Sequence, residues 1–158
     1  KINDDRLTKV KKIKTKADIL ILEGWCCASP AVQNFFLKKN INQIEKIFDR
    51  DLRWRNYYNL QLQNQYARLF KKFEKVIYLK VPSFSYIQNW RLKQEKMMKT
   101  RNNHIGAMNR KQILEFIQHY EKITKWMMKV LPSKANITIN VDKNQKIKKI
   151  LFKKTTTD

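Results

Sequence analysis

Residues 18 to 25, Asp-Ile-Leu-Ile-Leu-Glu-Gly-Trp, constrain the fold more than any other stretch: four consecutive aliphatic residues run without polar alternation into a carboxylate and a glycine. A strand buried on both faces of a parallel sheet reads this way, whereas a half-solvated strand alternates. Open α/β sheets carry their chemistry just beyond the carboxyl ends of the strands, which is where Glu23 would stand. Gly24, one of two glycines in the chain, follows where the backbone must turn sharply or let a ligand come close. Taken alone, the eight residues read first as a buried strand with a solvated glutamate at its exit. The order of the later elements decides whether Glu23 carries chemistry.

Ile41, Ile44, Ile47 and Phe48 recur at helical spacing, and Trp54, Tyr58, Leu62, Tyr66, Leu69, Phe70 and Phe73 predict one long amphipathic helix with Asp49 or Asp51 at its amino end. A second short apolar run, Val76 to Val81, is stopped by Pro82 and reads as another buried strand. Ser83 or Ser85 then suits the cap of a helix through Phe84, Ile87, Trp90, Leu92 and Met97, broken around Gly106. A further helix carries Ile113, Phe116, Ile117, Tyr120, Ile123, Met127 and Val130 and ends near Pro132. Ile137, Ile139 and Val141 alternate with polar residues, and the turn Asp142 to Gln145 leads to Ile147, Ile150 and Phe152, a hairpin or edge strand. This alternation predicts an α/β layer fold with a parallel sheet and helices on both faces, spanning residues 1–152 as one domain, with 153–158 a disordered tail.

The chain of 158 residues has a formal net charge of +22, and such a charge invites nucleic acid or another polyanion. The basic residues are mostly lysines scattered along the chain, however, and no dense arginine–aromatic stripe appears, so the pattern suits a solvated surface better than a reading face. No window reaches the roughly 18 apolar residues of a membrane span, and no signal peptide heads the chain, so the expected location is cytoplasmic and no membrane partner is expected. Cys26 and Cys27 are adjacent and have no ligand-spaced partners, which points to free thiols. His104 and His119 lie apart and read as structural or solvent-facing. Trp25, Trp54 and Trp90 read as core anchors rather than as ring platforms for a ligand.

Asp4-Asp5-Arg6, the run Asp18 to Trp25, Trp54-Arg55 with Tyr57 and Asn59, Pro82-Ser83-Phe84, and Trp90-Arg91 with Gln94-Glu95 follow one another in an order that resembles the carboxy-terminal part of the P-loop kinases grouped with D-glycerate 3-kinase and uridine kinase-like proteins. The resemblance covers nearly all of residues 1 to 150. It rests on Leu22-Glu23-Gly24-Trp25 and Trp90-Arg91 with Gln94-Glu95 in that order and separation. It implies transfer of the γ-phosphoryl group of ATP to the hydroxyl of a small acceptor, with D-glycerate the first candidate and Mg²⁺ as the companion ion. It makes Glu23 and Asp5 the catalytic candidates, with Glu23 also supporting Mg²⁺ through its water shell. Arg91 and Arg101 become lid residues that contact the nucleotide phosphates, and Arg6 and Lys1 residues that hold an anionic acceptor.

The chain contains no Gly-x-x-x-x-Gly-Lys-Ser/Thr sequence, since its glycines stand only at 24 and 106. The resemblance places that phosphate loop upstream of Lys1, so the expectation is a carboxy-terminal portion of a kinase that is not competent alone. The absent strand would lie between the two strands expected at 18–23 and 76–81, leaving unpaired edges through which copies of the chain can self-associate. Two other readings stand beside this one: a non-catalytic basic module that binds nucleic acid or an acidic partner, and a pseudokinase or regulatory subunit on the same fold.

Overall fold

β1 (Ile77–Lys80) and β2 (Ile137–Val141) pair in parallel, and β3 (Ile147–Phe152) adds to β2 in the antiparallel sense, giving the order β1-β2-β3. This is seen in a computed structural model that describes residue 12, residues 14–101 and residues 108–153, the side chains of 99–101 excepted. Lys1, Asp5, Arg6, the side chain of Arg101, the break around Gly106 and the tail from residue 154 all lie outside the described residues.

Two helices make the crossover from β1 to β2: α5 (Phe84–Arg101) and α6 (Arg110–Lys134). Before them come α1 (Asn34–Lys38), α2 (Gln43–Phe48), α3 (Arg53–Gln63) and α4 (Gln65–Phe70). The amino end of α6 closes with a capping box, in which the Asn109 side chain accepts from Gln112 N and Gln112 reaches back to Asn109 N. Its carboxyl end runs through Pro132 to Lys134, because a proline near the end of a helix forfeits one hydrogen bond without forcing the last turn open.

α6 is the spine of the molecule. Met127, Leu131 and Ala135 pack with Tyr78 of β1, and Cys26, Val76 and Ile123 close that cluster. Trp126 packs with Val32 and Leu37, and Ile113 and Ile117 pack with Phe84 of α5. All three clusters lie along one helix because α6 keeps its apolar residues on the three- and four-residue spacing of a helical face.

Five expectations fail, each for a stated reason. Residues 18–23 form no strand: the run is extended and exposed, with Leu20 91% accessible, because no neighbouring strand among the described residues offers it hydrogen bonds. Among the described residues, elements cover one face of the sheet only. Register puts Ile77, Ile137 and Phe152 in one row and Leu79, Ile139 and Ile150 in the next, all opposite the side that Tyr78 presents to α6. Of these, Ile77, Leu79, Ile150 and Phe152 are exposed.

The long helix expected from Trp54 to Phe73 is two helices, broken at Asn64, whose ψ of −84° departs from helical geometry. It has little core to hold it straight, since Trp54, Tyr66 and Leu69 are exposed, and Trp54 is therefore no core anchor. Gly24 is not demanded by its turn: a Cβ there would meet Cys27 Cβ at an ordinary 3.8 Å, and the left-handed residue of the segment is Ala28, with φ 59°.

Asp49 and Asp51 do serve the start of α3. Asp49 accepts from Trp54 N (2.8 Å) and Arg55 N (3.2 Å), and Asp51 from Arg53 N (3.3 Å).

Candidate active site

The turn that follows Glu23 is closed by Cys27 N donating to Gly24 O (3.2 Å) and Ser29 N to Cys26 O (3.2 Å). It carries Trp25 onto α6, where the indole stacks on Tyr120 with centroids 4.9 Å apart and donates from Nε1 to Thr124 Oγ1 (2.9 Å). From the other side, Trp90 of α5 donates to Lys143 O (2.9 Å) in the β2–β3 turn, tying helix to hairpin. The two indoles bound one cavity of about 620 Å³, which Ile87, Arg91, Gln94 and Gln145 also line. Both tryptophans are thus fixed by a hydrogen bond, and both also face the cavity.

Arg91 is held from its own helix. Nη2 meets Glu95 Oε1 at 2.5 Å and Nη1 donates to Gln94 Oε1 at 2.7 Å. The guanidinium carbon stands 5.9 Å from the Phe116 ring centre. Glu95 is buried, and its second oxygen accepts from Met108 N (3.3 Å), so the pair also locks the chain leading into α6. Arg91 Nε is buried without a hydrogen-bond partner among the described residues. A buried unpaired N–H costs free energy until an acceptor reaches it.

The structure brings Trp25, Trp90, Arg91 and Gln94 to one cavity and does not bring Glu23 there. Glu23 is exposed, two residues before Trp25, and does not line the cavity. Among the described residues no group of three or more His, Cys, Asp or Glu side chains is placed to hold a metal ion. Cys26 is pushed up to about 11 by burial, so its thiol stays protonated near neutral pH. His119 lies on α6 with no hydrogen bond or ion pair described for it. Gln94 belongs to the motif that the resemblance rests on, whereas Gln145 was passed over as a lining group, because a glutamine in a turn carries no spacing signal of its own.

No protein-family model matches the chain. Among curated proteins, an uncharacterized kinase of Schizosaccharomyces pombe, mug58, is 26% identical over 124 residues, 75% of this chain and 41% of that protein. Among solved structures, D-glycerate 3-kinase from Cryptococcus neoformans superimposes with a TM-score of 0.76 at 21% identity, over 94% of this chain and 55% of that one. The YGR205w protein superimposes with a TM-score of 0.61 at 20% identity, over 93% and 52%. The chain therefore spans about half the length of the proteins it matches. The chain thus shares the α/β fold of the D-glycerate 3-kinase along nearly its whole length, and the curated protein it resembles in sequence is an uncharacterized kinase.

Proposed function

We propose that this chain supplies the lid side and part of the acceptor side of an ATP-dependent phosphotransferase that acts on the hydroxyl of a small metabolite, with D-glycerate the first candidate. One observation supports it above the others: Arg91, with a buried and unpaired Nε, faces the same cavity as Trp25, in a chain that shares its fold with a D-glycerate 3-kinase.

The residues present fit the proposed ligands in part. Phosphoryl transfer rests on positioning and on neutralising phosphate charge, and a guanidinium at a cavity wall suits a phosphate oxygen. Arg91 needs its Gln94 and Glu95 partners to hold that position, so the lid contact is built by i,i+3 and i,i+4 neighbours on one helix. ATP, when bound, supplies the phosphoryl group. The rest of the triphosphate has no glycine-rich cradle within this sequence. Mg²⁺ does not fit the described residues, since Glu23 stands without a second ligand, and no step is assigned to it. In this reading Glu23 and Asp5 orient the acceptor hydroxyl and take its proton, Arg6 and Lys1 hold an anionic acceptor, and Arg101 adds a second lid charge. The site of action is cytoplasmic. Among the described residues no helix is long and apolar enough to cross a membrane.

Grafting residues 1–152 in place of the matched part of the Cryptococcus neoformans enzyme tests the reading. The chimera should release ADP in a D-glycerate-dependent manner, and Arg91→Lys should lower that rate by roughly tenfold or more, because an ammonium cannot make the paired contacts of a guanidinium. A chimera that melts cooperatively yet shows no D-glycerate-dependent ADP release would sink the proposal.

A further inference from the structure

We propose that Tyr120 and Thr124 of α6 are positioning residues, which hold the Trp25 indole at the cavity wall in a fixed relation to Arg91. What the cavity does is taken from the phosphotransfer reading; how its walls are held rests on contacts alone.

Three observations carry it. First, Trp25 is fastened without being buried. Its indole donates to Thr124 Oγ1 and lies against Tyr120 with the ring planes 14° apart, yet the residue stays 38% exposed and lines the cavity. Trp126 on the same helix donates to Ala31 O at 3.0 Å and is 4% exposed, which is how an indole that fills the core is held. Second, Thr124 is a buried hydroxyl in the interior of α6, beside Ile123 and Met127. An aliphatic residue would pack there with no polar group to satisfy, and the indole N–H is the partner described for this one. Third, the same stripe of α6 carries Arg91. Phe116, Tyr120 and Thr124 stand four residues apart and so follow one another along one side of the helix. The Arg91 guanidinium lies over Phe116, and Phe116 meets Tyr120 with ring centres 5.1 Å apart. Guanidinium, phenyl, phenol and indole thus form one run of contacts from α5 to the turn after Glu23.

A wall held in this way is set before any ligand arrives, and catalysis by positioning is sensitive to that: a misplacement of about 1 Å can lower a rate by about 10²-fold. Trp25 stands two residues after Glu23, so fixing the indole also limits where the acceptor-side carboxylate can go. Arg91 keeps its own hold through Gln94 and Glu95 whether or not Trp25 is fixed. Loosening Trp25 should therefore act on turnover and spare the nucleotide contact assigned to Arg91.

Four substitutions in the Cryptococcus neoformans chimera test it, each assayed below a cooperative melt. Thr124→Val, which keeps the shape and loses the acceptor, and Tyr120→Leu, which loses the stack, should each lower kcat about tenfold or more with KM for ATP within about twofold of the parent. Thr124→Ser and Tyr120→Phe should recover most of the rate. An active parent chimera whose kcat survives both Thr124→Val and Tyr120→Leu would overturn the proposal and leave the phosphotransfer reading standing. An inactive parent counts against that reading instead, and hydrogen exchange at the Trp25 indole N–H in the whole chain then decides the tether. Exchange should speed up about tenfold or more in Thr124→Val and stay near the parent rate in Thr124→Ser. Equal exchange in the parent chain and in Thr124→Val would overturn the proposal.

Discussion

At the scale of single residues, four buried charges explain how short helices before the sheet stay folded. Lys122 donates to Phe36 O (2.8 Å) and Lys39 O (2.6 Å), at the carboxyl end of α1, and meets Glu45 Oε2 at 3.2 Å. Arg55 pairs with Asp49 (Nε to Oδ2, 2.7 Å), donates to the Asp49 carbonyl, and reaches Leu37 O at 3.2 Å. Both cations are 2% exposed. The last carbonyls of a helix have no partners within it, and α1 has only five residues, so these side chains supply what a longer helix would spread over turns. Burial lowers the Lys122 ammonium below its ordinary value, and the Glu45 carboxylate opposes that shift. Arg55→Met would leave Asp49 and Glu45 buried with less compensation and the Leu37 carbonyl unpaired. The expected loss is about 3–5 kcal/mol, read as a drop in urea midpoint at unchanged slope. A loss below about 1 kcal/mol would show that water reaches the cluster.

At the scale of elements, the β2–β3 hairpin depends on one carboxylate. Asp142 Oδ1 accepts from Asn144 N (2.8 Å) and Lys146 N (2.9 Å), folding the turn back on itself. The Lys146 N–H bond, opposed next by desolvation and then helped by the Asn144 bond and the charges of Lys146 and Lys148, holds the Asp142 carboxyl below its ordinary value of 3.8. A folded value below the unfolded one means that the carboxylate supports the turn fully above the ordinary aspartate range. That support is lost as pH falls through the lower, folded value. Amide exchange at Lys146 should accordingly speed up on acidification in the native chain. In Asp142→Asn, which keeps an acceptor oxygen and has no proton to gain, it should show no such acid step; a step that persists would assign the titration elsewhere.

The same segment was legible in the sequence as a hairpin or edge strand, because alternation at 137–141 and a turn signal at 142–145 are local properties, and the structure makes it a hairpin. So were α5 and α6, and β1 as a strand stopped by Pro82, although Ile77 and Leu79 are exposed where a buried strand was expected. The run 18–23 was not, because an aliphatic tetrad shows that residues suit a buried strand and says nothing of whether a neighbour exists to bond it. The break at Asn64 escaped for a related reason. Helical spacing continues across it, and only the lack of a core beneath Trp54, Tyr66 and Leu69 lets the chain bend. At the site, Arg91 and Trp25 were legible as members of two separate motifs; that they share a cavity is a property of the crossover and not of either motif.

At the scale of the whole molecule, the cavity lies on a chain that matches about half of each relative, and under the proposed function it holds only part of a phosphotransferase site. Holding a phosphate needs one guanidinium fixed by its helix, the part that the proposed function gives to Arg91, which Glu95 holds in place. Cradling a triphosphate needs a run of backbone N–H groups in a glycine-rich loop with a lysine, and a sequence whose glycines stand only at 24 and 106 has no such run. Lysines in number do not replace it, because the catalytic effect comes from donors preorganised at the developing charge and not from net charge dispersed over a surface. A coupled assay with ATP, Mg²⁺ and D-glycerate should therefore show ADP release by this chain no faster than buffer, at any chain concentration. Turnover that rises in proportion to added chain would mean that phosphates are gripped by a loop of another composition, and the division of labour argued for Arg91 would have to be redrawn around it.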